Sequence, residues 1–296
     1  MEELGTEESN GGSSIDKCYN AGLIMAKGSV GGIVANVLGK TDSTIKNCYN
    51  TGEIICTNTE SSPNKATGGI IGKGNSKISI TNCYNSGKVT SKSDYTGGIV
   101  GYYAKKINYC YNKGNISGVA YLGGIVGYNS TSTEANYCYN EGDIIGTGNY
   151  VGGIAGNQHA AVQNVYNTGN VTGANNVGGI CGMAYANVTY AYNLGEKTTL
   201  TVNDDPYQIG GIVGSANSSC NISWCYNLSN VRGGESTGGI VGSIAGTSRS
   251  VSYSYNLGEV VGSNTGSYPS AGGIAGVAYL SSPIRSCINI GKVSGG

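Results

Sequence analysis

Residues 110–127 read "CYNKGNISGVAYLGGIVG". Two landmarks bound this stretch: Cys110-Tyr111-Asn112 at its start and Gly123-Gly124-Ile125 near its end. Neither occurs once. The Asn returns at Asn20, Asn50, Asn85, Asn112, Asn140, Asn167, Asn193, Asn227, Asn256 and Asn289, ten copies 26 to 35 residues apart. Gly-Gly-Ile alternates with it, starting at Gly31, Gly68, Gly97, Gly123, Gly152, Gly178, Gly210, Gly238 and Gly272. A catalytic site needs such a constellation once and a metal site about twice, so many copies in phase mean architecture.

Working outward, each unit reads apolar, two polar, small or Cys, Tyr, Asn, then a turn Gly and Ile or Val. A stretch of variable length follows, and then Gly-Gly-Ile. Runs of three to five β-favouring residues are broken by Gly and Asn, and no segment holds a 3.6-residue period. Glycine at this density disfavours helix by about 1 kcal/mol per Gly against Ala. A unit this short holds three short strands and their turns, and falls below the roughly 40–45 residues of a propeller blade. The expected fold is all-β: a parallel β-solenoid (β-helix) of about ten coils, right-handed by the crossover rule. Extra length at one point of the unit, as in "ICTNTESSPNKAT", "KTTLTVNDDPYQI" and "VVGSNTGSYPSA", marks a loop on one side of the stack.

Composition agrees. Gly is 52 of 296 residues, Pro only 4, Phe absent, Tyr 23, and charged residues 11%. That excludes collagen and Pro-rich linkers. No run approaches the roughly 18 apolar residues of a spanning helix, so membrane insertion is not expected. Net charge is zero with no basic patch, so nucleic acid is not an expected partner. Residues 1–14, "MEELGTEESNGGSS", have no apolar core of a signal peptide and read as a flexible acidic leader or boundary; residues 15–296 are expected to form a repeat region of a larger protein.

The alternation of "GGIVG" with Tyr-Asn-x-Gly-x-Ile/Val resembles the GLUG repeat of bacterial cell-surface and secreted proteins, including the repeat region of immunoglobulin A protease-type surface proteins. The resemblance runs from about Ile15 to the C-terminus. It departs in Ile for Leu after the paired Gly and in the frequent Cys before Tyr-Asn. It implies a bacterial surface or secreted setting and supplies no activity.

In a stack of coils about 4.8 Å apart, like residues form ladders. An Asn column can donate to one neighbouring coil and accept from the other. The Cys column contains Val165, Ala191 and Ser254 as equivalents, so the position asks for a small buried side chain. Parallel Cβ vectors suit disulfides poorly, and without C-x-x-C or a clustered His no metal or other cofactor is expected. Paired Gly implies bent or closely approached backbone. The Tyr of Tyr-Asn occupies nine of ten coils. Two residues earlier the position varies from Lys17 to Trp224, which marks it as outward. With normal alternation both columns face out. Tyr109 with Tyr111, Tyr137 with Tyr139, Tyr190 with Tyr192, Trp224 with Tyr226, and Tyr253 with Tyr255 then form double aromatic rows, candidates for binding a glycan or a host surface protein. The competing reading is that the rings only stack on one another. A bulge between the two positions would turn one column inward.

No enzyme is expected. Glu53, Asp143, Glu196 and Glu259 share a column with Lys88 and Lys292 but sit in separated coils, so they read as a solvated rim. Asn203, Asp204 and Asp205 sit in a long loop and read as a turn, with calcium binding the weaker alternative. Nucleophilic chemistry would rest on His159 alone. The expected role is a rigid stalk or adhesive spacer. The alternatives are a glycan- or protein-binding module and a subunit of a fibre built by end-to-end association.

Overall fold

A computed structural model describes residues 3–4, 12–130, 134–200, 207–244, 248–262, 269–279 and 281–295, with backbone only for 3–4 and 197–200. Asn203, Asp204 and Asp205 lie outside the described residues, as does most of the 1–14 stretch; within it Glu3–Leu4 pairs with Asn36–Val37 and Ser14 opens a strand. Among the described residues the chain is a parallel β-solenoid of nine coils and three strands of a tenth, with the strand Glu3–Leu4 before the first.

One coil shows why. Its strands number five, not the three expected from its length, because turns cut them to two to four residues: Ile78–Thr81, Tyr84–Asn85, Val89–Ser91, Thr96–Gly97 and Val100–Tyr102. Each is cut short by a turn residue, so no strand outgrows the polygon. Stacking gives four sheets with parallel pairing throughout: two of ten strands, one of nine, and one that joins the first two strand columns. Register is like on like: Tyr84 faces Tyr49 and Tyr111, Asn85 faces Asn50 and Asn112, and Gly97 faces Gly68 and Gly123. The variable stretch lies between the third and fourth strands; in the second coil it contains a 3₁₀ turn at Pro63–Lys65.

The interior is divided. One apolar cluster contains the column Ile45, Ile80 and Ile107, the thiols of Cys48, Cys83, Cys110 and Cys138, and the isoleucines that follow Gly-Gly. A second contains Ile54, Val89, Ile116, Leu122, Ile144 and Val151. Between them the Asn side chains of one wall touch the paired glycines of the other. A Cβ on Gly124 would fall within 3.0 Å of Gly153 O and of Asn140 Cγ. No positive φ occurs at this Gly-Gly step among the described residues, so close approach, not an unusual turn, demands glycine there.

The Asn ladder is continuous. Nδ2 of each Asn donates to Oδ1 of the Asn in the next coil, at 2.7 Å from Asn112 to Asn140 and from Asn140 to Asn167, and at 2.7 to 3.1 Å over all nine steps. The second Nδ2 proton goes to the turn carbonyl two residues on, as Asn140 to Gly142 O at 2.6 Å. From Asn50 to Asn256 these side chains are fully or almost fully buried.

The ten cysteines are free thiols. Seven of them occupy the column before Tyr-Asn or its equivalent, and that column has a hydrogen-bonding role beyond volume. Cys48 Sγ donates to Lys46 O at 3.1 Å, and Cys110, Cys138 and Cys225 repeat this at 3.2, 3.2 and 3.3 Å. Ser254 Oγ does the same to Ser252 O at 2.8 Å. The carbonyl served precedes a left-handed residue, where the strand ends.

Candidate functional site

The left-handed residue is the one two places before the Tyr of Tyr-Asn. Lys17, Asn47, Asn82, Tyr109, Tyr137, Asn164, Tyr190, Trp224, Tyr253 and Ser286 have φ between 49° and 57°. The strand therefore does not alternate normally here; it kinks in every coil. The kink does not turn either aromatic column inward, because the intervening Cys points in and its two neighbours point out. Tyr109, Tyr137, Tyr190, Trp224 and Tyr253 are 41 to 54% exposed, and Tyr111, Tyr139, Tyr192, Tyr226 and Tyr255 are half-buried.

The rings of the Tyr-Asn column lie flat on one another. From Tyr19 to Tyr166 successive centroids are 4.7 to 5.2 Å apart and the planes within 9°. Tyr226 stacks on Tyr255 at 5.0 Å, whereas Tyr192 and Tyr226 are tilted by 31°. Burial under the neighbouring rings pushes the Tyr139 hydroxyl up to about 12. The outer column is interrupted. Tyr109 stacks on Tyr137 at 5.0 Å, Tyr190 on Trp224 at 6.4 Å and Trp224 on Tyr253 at 4.6 Å, with Asn164 between the two groups. Rings stacked along the axis spend their faces on each other and offer solvent their edges and hydroxyls. A ligand that lies on an aromatic face finds one only where a stack is interrupted.

A second aromatic patch escaped the sequence reading. Tyr95, Tyr121 and Tyr150 stack in a row at 4.8 Å per step, and Tyr102 stacks on Tyr128 at 5.1 Å. The two rows meet edge to face, Tyr95 with Tyr102 at 5.3 Å and Tyr121 with Tyr128 at 5.8 Å. His159 continues the patch, stacked on Tyr185 at 4.0 Å, and its burial lowers its basicity. Burial pushes the Tyr121 hydroxyl up to about 12. The signal was present as Tyr two places before Gly-Gly in three successive units. It was masked by its position in the variable stretch.

Carboxylates form exposed ion pairs across coils: Glu53 with Lys88 at 3.5 Å, Glu141 with Lys113 at 3.1 Å, Glu259 with Arg232 at 3.5 Å, and Asp42 with Lys105 at 2.6 Å. Hydrogen bonds from Lys105 to Asp42 and from Asn47 to Asp16 hold those two carboxyls below their ordinary range. Asp143 instead accepts from the backbone N–H of Asn170 at 2.9 Å. Among the described residues no three His, Cys, Asp or Glu side chains are grouped to hold a metal ion, and no helix is long and apolar enough to cross a membrane.

A family model described as the GLUG motif matches the sequence twice, at residues 27–55 and 63–90. Each match runs from a Gly-Gly-Ile through the following Tyr-Asn. No curated protein and no solved structure matches the chain. Beyond the two matches, later coils keep Tyr-Asn at the same register, with Ile288 in place of Tyr in the last, so the unit of the match is the unit of the fold, and the chain carries the GLUG motif in these two stretches.

Proposed function

We propose that the chain is a non-catalytic structural segment, a rigid stalk or adhesive spacer in a bacterial surface or secreted protein. The observation that carries this reading is the unbroken asparagine row through all ten coils. Each coil is locked to the next by backbone pairing and by a buried amide, so the stack cannot bend at one joint without exposing unpaired polar groups. Ten coils at about 4.8 Å give a length of roughly 45–50 Å. Charge contributes little to that stiffness, since the inter-coil ion pairs are exposed and worth ~0–1 kcal/mol each.

Small-angle scattering of the full chain at about 50 and about 500 mM NaCl tests this, because the screening length falls more than threefold across that range. A stiff spacer gives the same maximum dimension and the same rod-like cross-section at both. Compaction or a broad distribution of lengths at high salt removes the reading.

Recognition is a second reading, supported by the exposed edges of Tyr109, Tyr137, Tyr190, Trp224 and Tyr253. It is compatible with a spacer, since a rigid rod can also carry a binding face.

A further inference from the structure

We propose that the interruption of the outer aromatic column at Asn164 is a slot for a single neutral pyranose ring, held between the facing rings of Tyr137 and Tyr190. Three observations converge on this point. First, Tyr137, Asn164 and Tyr190 occupy the same place in three consecutive coils and leave the backbone in the same conformation, with φ of 54°, 54° and 52°. Two coil steps separate the outer pair, about 9.6 Å. A ring midway would sit about 4.8 Å from each, close to the 5.0 Å between Tyr109 and Tyr137 and the 4.6 Å between Trp224 and Tyr253. The slot therefore takes one ring and no more.

Second, the two aromatic faces bordering the slot are not spent within the column and look at each other, whereas the outer faces of Tyr109 and Tyr253 look at Asn82 and Ser286. Tyr137 gives its other face to Tyr109, and Tyr190 gives its other face to Trp224. The inner column breaks close to the same level: Tyr166 stacks on Tyr139, but among the described residues no ring contact joins Tyr166 to Tyr192. Third, the floor is an amide. Asn164 is half-buried and its side chain makes no hydrogen bond among the described residues, unlike Asn47 of the same column, which donates to Asp16 at 2.8 Å.

The chemistry favours a sugar. A pyranose presents C–H bonds on both faces, which suits the negative faces of two tyrosines. Its hydroxyls lie around the rim, where an amide offers both a donor and an acceptor. The ligand is not anionic, because the neighbouring outward column offers no cation at this level: Asn136, Gln163 and Thr189 stand in register there, and the carboxylate beside them, Glu134, accepts from Asn136 Nδ2 at 3.2 Å. Asp16, Lys46 and Arg285 occupy that column only toward the ends.

The test is titration of the full chain with hexamers of β-1,4-glucose, β-1,4-N-acetylglucosamine, α-1,4-glucose and β-1,4-mannose, followed by the NMR shift of the Asn164 side-chain amide and, for every variant, by calorimetry. Concentrations reach about 10 mM, tenfold above a roughly 1 mM site. At least one hexamer shifts that amide saturably. Asn164→Tyr fills the slot and continues the stack, so it weakens binding at least tenfold while leaving the melting temperature unchanged or higher. Asn82→Tyr, which extends the column at its other end, leaves binding unaltered. Saturable binding that survives Asn164→Tyr overturns the proposal, and so does the absence of a saturable shift with all four hexamers. Neither outcome touches the spacer reading, which scattering tests without any ligand.

Discussion

At the scale of the residue, the most constrained side chain is the ladder asparagine. Asn140 accepts from Asn112, donates to Asn167 and donates to Gly142 O, all inside a dry seam. The paired glycines of the preceding coil lie against it. Ala at this position removes three hydrogen bonds and leaves one Nδ2 proton of Asn112, and the Asn167 Oδ1, without the partner the ladder gave it. Each such orphan costs ~1–3 kcal/mol, so Asn140→Ala lowers unfolding stability by about 2–4 kcal/mol in urea titration. The same change at Asn20, in the more exposed first coil, costs less than half as much. Equal losses at the two positions contradict a role for burial in the ladder. The Cys column has a lesser role of the same kind: a thiol adds a second donor to a carbonyl before the kink that already accepts a backbone N–H from the neighbouring coil, as Asn136 O does from Tyr109 N at 3.2 Å, and the Ser at 254 does the same.

At the scale of the element, register is the controlling variable, because the side-chain period along a strand is two and one slip exchanges inside for outside. Ser79 faces Lys106 in the next coil. Deleting residues 79–105 therefore removes one whole coil and joins strands in phase. That variant folds cooperatively, with a scattering length shorter by about 4.8 Å. Deleting 79–104 is one residue out of phase and turns the buried isoleucine column toward solvent; it should show no cooperative transition. If both fold equally well, the columns are not what specifies the coil. Much of this was legible in the sequence. The phase of Asn and of Gly-Gly-Ile shows the coils, and the substitutes Val165, Ala191 and Ser254 show a small inward position. Spacing along the chain could not show which walls of a coil meet. The contact of Asn with the opposite glycines, and the two separate apolar columns it creates, appear only once the coil is closed. The kink had a signal that alternation reasoning overrode: Asn47, Asn82 and Asn164, residues tolerant of left-handed geometry, recur in the column that also holds Tyr and Trp. Of the candidate site, the double aromatic rows were legible from Tyr and Trp spacing. The availability of ring faces was not, since it depends on how the rings tilt.

At the scale of the whole molecule, many buried ionisable groups are held in their neutral form. Burial pushes Cys220 and Cys225 up to about 12 and Cys48 to about 11, and Tyr121 and Tyr139 to about 12. In an unfolded chain such thiols and phenols release their protons near about 8.5 and about 10. A group whose folded pKa lies above its unfolded one contributes stability that is complete below the unfolded value and is lost as pH rises through the folded one. The urea midpoint should therefore be flat up to about pH 8 and fall across roughly pH 9–12. A midpoint unchanged to about pH 11 would mean that these groups are already open to water.

The asparagine row has one more consequence. Backbone hydrogen bonds between coils run both ways, Ile24 N to Glu53 O up the stack and Tyr49 N to Cys18 O down it, so their dipoles largely cancel. The side-chain amides all point one way. The ladder thus has an electrical sense of its own, its positive end toward Asn289, whatever the charges outside it contribute.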